Sequence, residues 1–244
     1  MRVGIIRPDS SLHDSELATD FHFVLAQQCL ASEAYSTYYR EAAERGEFVL
    51  LDNGAAELGR SVSAEDLLKA CELINPSVVV APDVLFDSDA TIFRTMQFLG
   101  RVGGRYKVMA VPQGRNDEDY LETFHLFNQQ SSIAWLGLTK YATPAFGSRV
   151  ALLKIIEPIV DKPCHLLGLW YDALELLEEK QFSFAKSTDS SRPVKLALQG
   201  LHMLEHKRYT KDPALQFFEH VLTEEERALA ISNAHCFISL AGGL

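Results

Sequence analysis

Four polar residues close apolar runs along this chain: Asp52 after FVLL, Asp83 after SVVVAP, Gln113 after VMAVP and Asp189 after FSFAKST. A carboxylate accepts hydrogen bonds from N–H groups, and a side-chain amide can donate to a carbonyl. An Asp and a Gln brought together can therefore read the edge of a purine, with exposed backbone beside Gly137 as a further donor. Two more carboxylates, Asp52 and Asp189, suit chemistry at a glycosidic bond, one as nucleophile and the other as acid/base. A strand-terminal Asp also serves as a helix N-cap or turn residue. Asp87, in LFDSDAT, reads that way, and His165 and Trp170 read as packing residues beside their strand.

Such residues act together only if the fold gathers them. Apolar, β-rich runs start at residues 48, 77, 106, 132, 164 and 182, separated by 29, 29, 26, 32 and 18 residues. The first four intervals fit a strand–helix unit of roughly 30 residues. Helical periodicity fills the gaps: Ser63-Ala64-Glu65-Asp66 reads as a capping box, and SDATIFRTMQFLGR and EDYLETFHLFNQQ carry apolar residues at helical spacing. RVGIIRP at 2–8 reads as an earlier strand, 15–45 as helix, and the chain after Pro193 as helices. The runs are continuously apolar, as in parallel strands covered on both faces. The expectation is an α/β fold of one domain over 1–244: a (β/α)8 TIM-like barrel with C-terminal helices from about 193. Only seven strands are visible. The eighth is expected to be irregular or to lie among the C-terminal helices. In a parallel barrel, as in the doubly wound sheet that is the alternative for such strands, chemistry gathers at the C-terminal strand ends, where the four polar residues stand.

The totals exclude several classes. The 244 residues include four isolated cysteines, so no zinc-type pair is present, and the formal net charge is −10. Phosphate loop, nucleophile elbow and zincin motifs are absent, so neither metal nor cofactor is expected. No apolar run reaches bilayer length and MRVGIIRPDS lacks a signal-type core, so the sequence predicts a cytoplasmic protein with no membrane contact. His202 and His206, four apart, read as surface residues. The acidic balance argues against indiscriminate nucleic-acid binding but leaves room for a local basic face at 101–107, 186–195 or 202–211.

In order along the chain, five segments resemble motifs of the tRNA-guanine transglycosylase superfamily. LLDNGAAELG resembles its D-S-G-G-[FY]-Q segment, VPQG its V-Q-G, WLGL its L-A-V-G, HLLGLW its [YH]-L-M-G-[VI]-G, and STDSS its nucleophile loop. The similarity spans about residues 48–193. The family's zinc site is absent and the chain is short, which resembles the viral, DpdA-type DNA transglycosylases; for such a protein the compartment would be the host cytoplasm. The resemblance implies a glycosyltransferase that replaces guanine in DNA with a 7-deazaguanine such as 7-cyano-7-deazaguanine. It implies Asp189 as nucleophile and Asp52 as general acid/base. Asp83 would grip the N1/N2 edge, Gln113 and the Gly137 backbone O6, and the Leu138 carbonyl the 7-substituent. Glu57 is a spare acid.

The partners implied are DNA and the free base. A base inside a duplex is out of reach, so the target must be flipped or single-stranded. Lys186, Arg192 and Lys195, flanking the nucleophile, are the expected phosphate contacts, with Arg149 as a further one. Three rivals stand beside this reading: a tRNA-guanine transglycosylase, a nucleoside hydrolase or deoxyribosyltransferase that needs no phosphate track, and a non-catalytic nucleic-acid-binding barrel.

Overall fold

The computed structural model describes residues 1–140, 143–169, 172–205 and 216–242. Eight parallel strands run β1 (Arg2–Ile5), β2 (Phe21–Leu25), β3 (Phe48–Asp52), β4 (Val78–Val80), β5 (Val108–Ala110), β6 (Ile133–Thr139), β7 (Cys164–Leu167) and β8 (Ala185–Ser190). From β2 to β8 each strand pairs with the next, and β8 returns to pair with β1. Among the described residues no ladder joins β1 to β2. There the seam is closed by packing, because Gly4 leaves so little room that a Cβ would stand 3.0 Å from that of Phe23. The result is a nearly closed TIM-barrel-like α/β fold.

Helices connect the strands: α1 (Ala26–Ala31) and α2 (Glu33–Glu44), α3 (Ala55–Leu58) and α4 (Ala64–Ile74), α5 (Ser88–Val102), α6 (Asp117–Gln129), α7 (Thr143–Phe146) and α8 (Arg149–Ile156), then α9 (Leu176–Glu179). After β8 come α10 (Arg192–Ala197) and α11 (Glu224–Leu240). Ser63 caps α4 and Asp87 caps α5, each accepting from a backbone N–H three residues on.

The alternation of each strand explains its unbroken apolar sequence. Leu50, Val78, Val80, Met109 and Val111 fill the barrel with Phe21 and Phe23. Val49, Leu51, Val79 and Val108 face α1, α2 and α4 instead. Both faces are buried, so both must be apolar.

Two expectations need correction. The missing strand is β2, inside the segment read as helix; FHFVL is only five residues long and fully buried, too short a run to display a period. The C-terminal region is less helical than expected: KLALQGLHM forms helix only to Ala197, and Phe217–Glu219 is a single 3-10 turn. Asn233 of α11 binds this part to the barrel, accepting from the Met203 N–H and donating to the Pro193 and Leu201 carbonyls. Trp170, His206 and most of the basic run at 202–211 lie outside the described residues. Among the described residues no helix is long and apolar enough to cross a membrane.

Candidate active site

The C-terminal ends of the strands surround a cavity of about 150 Å³ whose lining includes Asp52, Asp83, Gln113 and Asp189. An apolar protein cavity of about that volume accepts a benzene-sized ring. Ile6, Phe23, Val80, Val111 and Leu167 give this one its apolar walls. The four polar residues named from sequence are thus brought together, all nearly inaccessible to solvent.

Asp83 and Gln113 form one hydrogen-bonded unit. Gln113 Nε2 donates to Asp83 Oδ2 at 2.6 Å, and Gln113 Oε1 accepts from the Phe86 N–H at 3.2 Å. The two bonds fix the amide orientation, and the second Nε2 proton has no partner among the described residues. Phe86 adopts a left-handed φ of 64°, a conformation that costs free energy for a bulky side chain. Asn53 completes the unit: its Nδ2 donates to Asp83 Oδ1 at 2.8 Å and to the Ala81 carbonyl at 2.7 Å. Burial raises the Asp83 carboxyl above the ordinary range, against the opposing pull of these amides.

Asp189 faces this unit from β8. Its Oδ1 accepts from the Gly168 N–H at 2.8 Å and pairs with His165 Nε2 at 3.1 Å, while Oδ2 has no partner among the described residues. His165 Nδ1 lies 2.8 Å from Ser187 Oγ, and the ring is stacked between Phe21 and Phe23. With Ser187 donating to Nδ1, the Nε2 proton points at Asp189. His165 does pack, as expected, and it also positions the carboxylate.

Asp52 is the third group. The sharp turn after β3 is made by Gly54 at φ 78°, whose N–H donates to Asp52 Oδ2 at 2.8 Å. Burial holds the Asp52 carboxyl well above the usual range, and the neighbouring charges of Glu57, Asp83 and Asp189 raise it further. Glu57 stands at the rim with its side chain reached by solvent; crowding by the protein raises its carboxyl, as does Asp189, against Lys195 and Lys140. Burial thus favours the protonated form of Asp52 in a mouth where Asp189 offers a hydrogen-bond-accepting oxygen.

A carboxyl raised on folding binds its proton more tightly in the native state. Its stabilising contribution is full below the unfolded pKa of about 3.9 and is lost as pH rises through the folded value. The melting temperature is therefore expected to fall as pH rises above about 4, and Asp52→Asn to shrink that fall. Thermal denaturation across the range checks this. An identical decline in the variant would mean that Asp52 ionises freely.

Most of the other expected site residues lie elsewhere. Gly137 and Leu138, expected to offer backbone groups, do not line the cavity: both sit within the β6–β7 ladder, one layer down, where a Cβ on Gly137 would meet Val111, Leu167 and Met109. Strand β6 runs two residues past Gly137, so Thr139 and Lys140 line the mouth in their place. Arg149 is buried in an ion pair with Glu179, Nε to Oε1 at 2.6 Å, and donates to the Leu167 and Gly168 carbonyls, so it cannot serve as a phosphate contact. Lys186 lines a groove with Arg2 and Asp20 at the N-terminal ends of β1 and β8, opposite the mouth. Arg192 does line the mouth, and Lys195 is half-buried with its Nζ 5.1 Å from the Phe217 ring. Among the described residues no three His, Cys, Asp or Glu side chains converge as metal ligands do.

No family model and no curated protein matches the chain. Among solved structures, the YdjI aldolase from Escherichia coli K12 is similar at a TM-score of 0.61, with 14% sequence identity, over 99% of this chain and 90% of that chain. This similarity establishes the barrel and carries no residue role.

Proposed function

We propose that this protein is a glycosyltransferase that exchanges guanine in DNA for a 7-deazaguanine base. The observation that carries the reading is Asp189. One of its oxygens is held by the Gly168 N–H and His165, the other has no partner among the described residues, and it shares a cavity with the locked Asp83–Gln113 unit. The five ordered sequence motifs support the same reading.

Guanine fits this donor and acceptor set. Asp83 accepts from N1–H and the 2-amino group, and the remaining Gln113 N–H donates to O6. Asp189 Oδ2 attacks C1′ of the deoxyribose, the C1′–N9 bond breaks, and its electron pair stays on the base. Asp52 supplies the proton that neutralises the departing guanine, becoming a carboxylate. The incoming 7-deazaguanine occupies the same place, and Asp52 takes its N9 proton as N9 attacks C1′ and displaces Asp189. Two inversions leave the configuration at C1′ retained.

Incorporation of labelled guanine, and separately of 7-cyano-7-deazaguanine, into DNA and tRNA tests the proposal. Label is expected in DNA alone. Label in tRNA alone would reassign the polymer, and label in neither, from folded protein, would defeat the base-exchange reading.

A further inference from the structure

The connection between β4 and α5 holds one bulky residue in a conformation that such residues avoid. The Asp87 N–H donates to the Val84 carbonyl at 3.1 Å, so residues 84–87 form a four-residue turn, and Leu85 within it lines the cavity. The third residue of the turn, Phe86, has a φ of 64°. Among the described non-glycine residues only Asn75 and Phe86 have a positive φ, so Leu85 before it does not. That combination is a type II turn, whose third position favours Gly or Asn. Phe86 is 47% exposed, so burial of its ring offsets little of what this backbone costs.

Both ends of the turn are anchored. The buried Thr91 hydroxyl accepts from the Val84 N–H at 2.9 Å and donates to the Val84 carbonyl at 3.1 Å, and Asp87 caps α5. Between these anchors the Leu85–Phe86 peptide has two settings. In the observed type II form the Phe86 N–H meets Gln113 Oε1 at 3.2 Å. In type I, which a phenylalanine adopts without strain, that peptide is reversed and the Leu85 carbonyl takes the place of the N–H. A carbonyl there repels Oε1 and attracts Nε2, so the Gln113 amide would rotate. Asp83 does not settle the rotation alone. Its carboxyl accepts from an amide nitrogen when ionised and donates to an amide oxygen when protonated, and burial favours the proton. The two amide settings present opposite groups to the cavity, an N–H donor or an oxygen acceptor.

We propose that this turn decides which purines the cavity admits. Held as type II, its Phe86 N–H keeps an N–H of Gln113 facing the base, so that a 6-oxo group is accepted and a 6-amino group, itself a donor, is excluded. Phe86 is thus a positioning residue that acts through Gln113. The inference rests on the base-exchange reading and deepens it, since guanine and its 7-deaza analogues share the 6-oxo group and adenine lacks it.

The test is calorimetry with guanine and with 2,6-diaminopurine, which keeps the 2-amino group but carries an amine at position 6. Wild type is expected to prefer guanine at least ~100-fold, because a site built to hydrogen-bond one substrate group rejects analogues without it. Phe86→Asn and Phe86→Val both remove the ring and keep the N–H. Asparagine tolerates a left-handed backbone and a β-branched valine resists it. Phe86→Asn should therefore keep the wild-type preference, and Phe86→Val should narrow it about tenfold, chiefly through weaker guanine binding. An unchanged preference in Phe86→Val, equal narrowing in Phe86→Asn, or a wild type that binds both purines alike would overturn the turn's role. Amide hydrogen exchange without ligand reads the turn independently. The N–H at position 86 should be protected in wild type and Phe86→Asn and should exchange faster in Phe86→Val. Guanine binding by a wild type whose Phe86 N–H is unprotected defeats the turn alone. A protected N–H with no guanine binding supports the turn's hold on Gln113 and defeats the base-exchange reading.

Discussion

Asp189→Asn is expected to cut base exchange at least ~10³-fold and to abolish the covalent protein–DNA adduct on denaturing gels, with melting temperature little changed. The substitution is well matched to the site. An asparagine Oδ1 can still accept from the Gly168 N–H and from His165 Nε2, so the local geometry survives. What changes is the second oxygen, which becomes an amide nitrogen with no capacity to attack C1′. His165→Asn should behave differently. Its loss removes the ring stacked against Phe21 and Phe23 and loosens Asp189, but the carboxylate remains. Exchange should fall roughly 10- to 100-fold, with the adduct still forming. An Asp189→Asn protein that retains wild-type exchange would exclude this carboxylate as nucleophile and direct attention to Asp52 and Glu57.

The gathering of the site was readable because a parallel barrel enforces parity. Leu50 faces inward, so Asp52, two residues on, faces inward at the mouth; Met109 and Val111 lead in the same way to Gln113. The motif matches misplace two backbone contacts: Gly137 and Leu138 stand within β6 rather than at its end, because the strand continues to Thr139. A strand's end is set by where its neighbours stop pairing, which a short motif does not contain. Asn53 carries no such signal in the sequence, although its side chain spans β3 to β4 and holds Asp83. For β2 a signal did exist: its start lies 27 residues before β3, within the range of the other units. The basic residues were the least legible. A cation's sequence neighbourhood says little about whether it reaches solvent, and Arg149 and Lys186 show two ways in which it does not reach the mouth.

Arg149→Met is expected to cost about 3–5 kcal/mol of stability, a drop in melting temperature of roughly 6–20 °C. Both Arg149 and Glu179 are inaccessible to solvent, and the guanidinium reaches both Glu179 oxygens, at 2.6 and 3.2 Å. Removing the cation leaves a buried carboxylate without its partner. Removing Glu179 as well leaves only the partly exposed Glu175, 3.4 Å from the guanidinium, to lose a contact, so Arg149→Met/Glu179→Leu should recover most of the loss. Arg149→Lys should recover little, since an ammonium cannot span Glu179 and the backbone of Leu167 and Gly168 at once. Those carbonyls tie stability to chemistry: Arg149 holds the Gly168 carbonyl at 2.7 Å, and the Gly168 N–H holds Asp189. Well below its melting temperature, Arg149→Met should therefore exchange bases more slowly while the salt slope of DNA binding stays unchanged. A variant that melts with the wild type would show the buried pair to be energetically idle. One that loses salt-dependent DNA binding while keeping its stability would return Arg149 to the nucleic-acid interface.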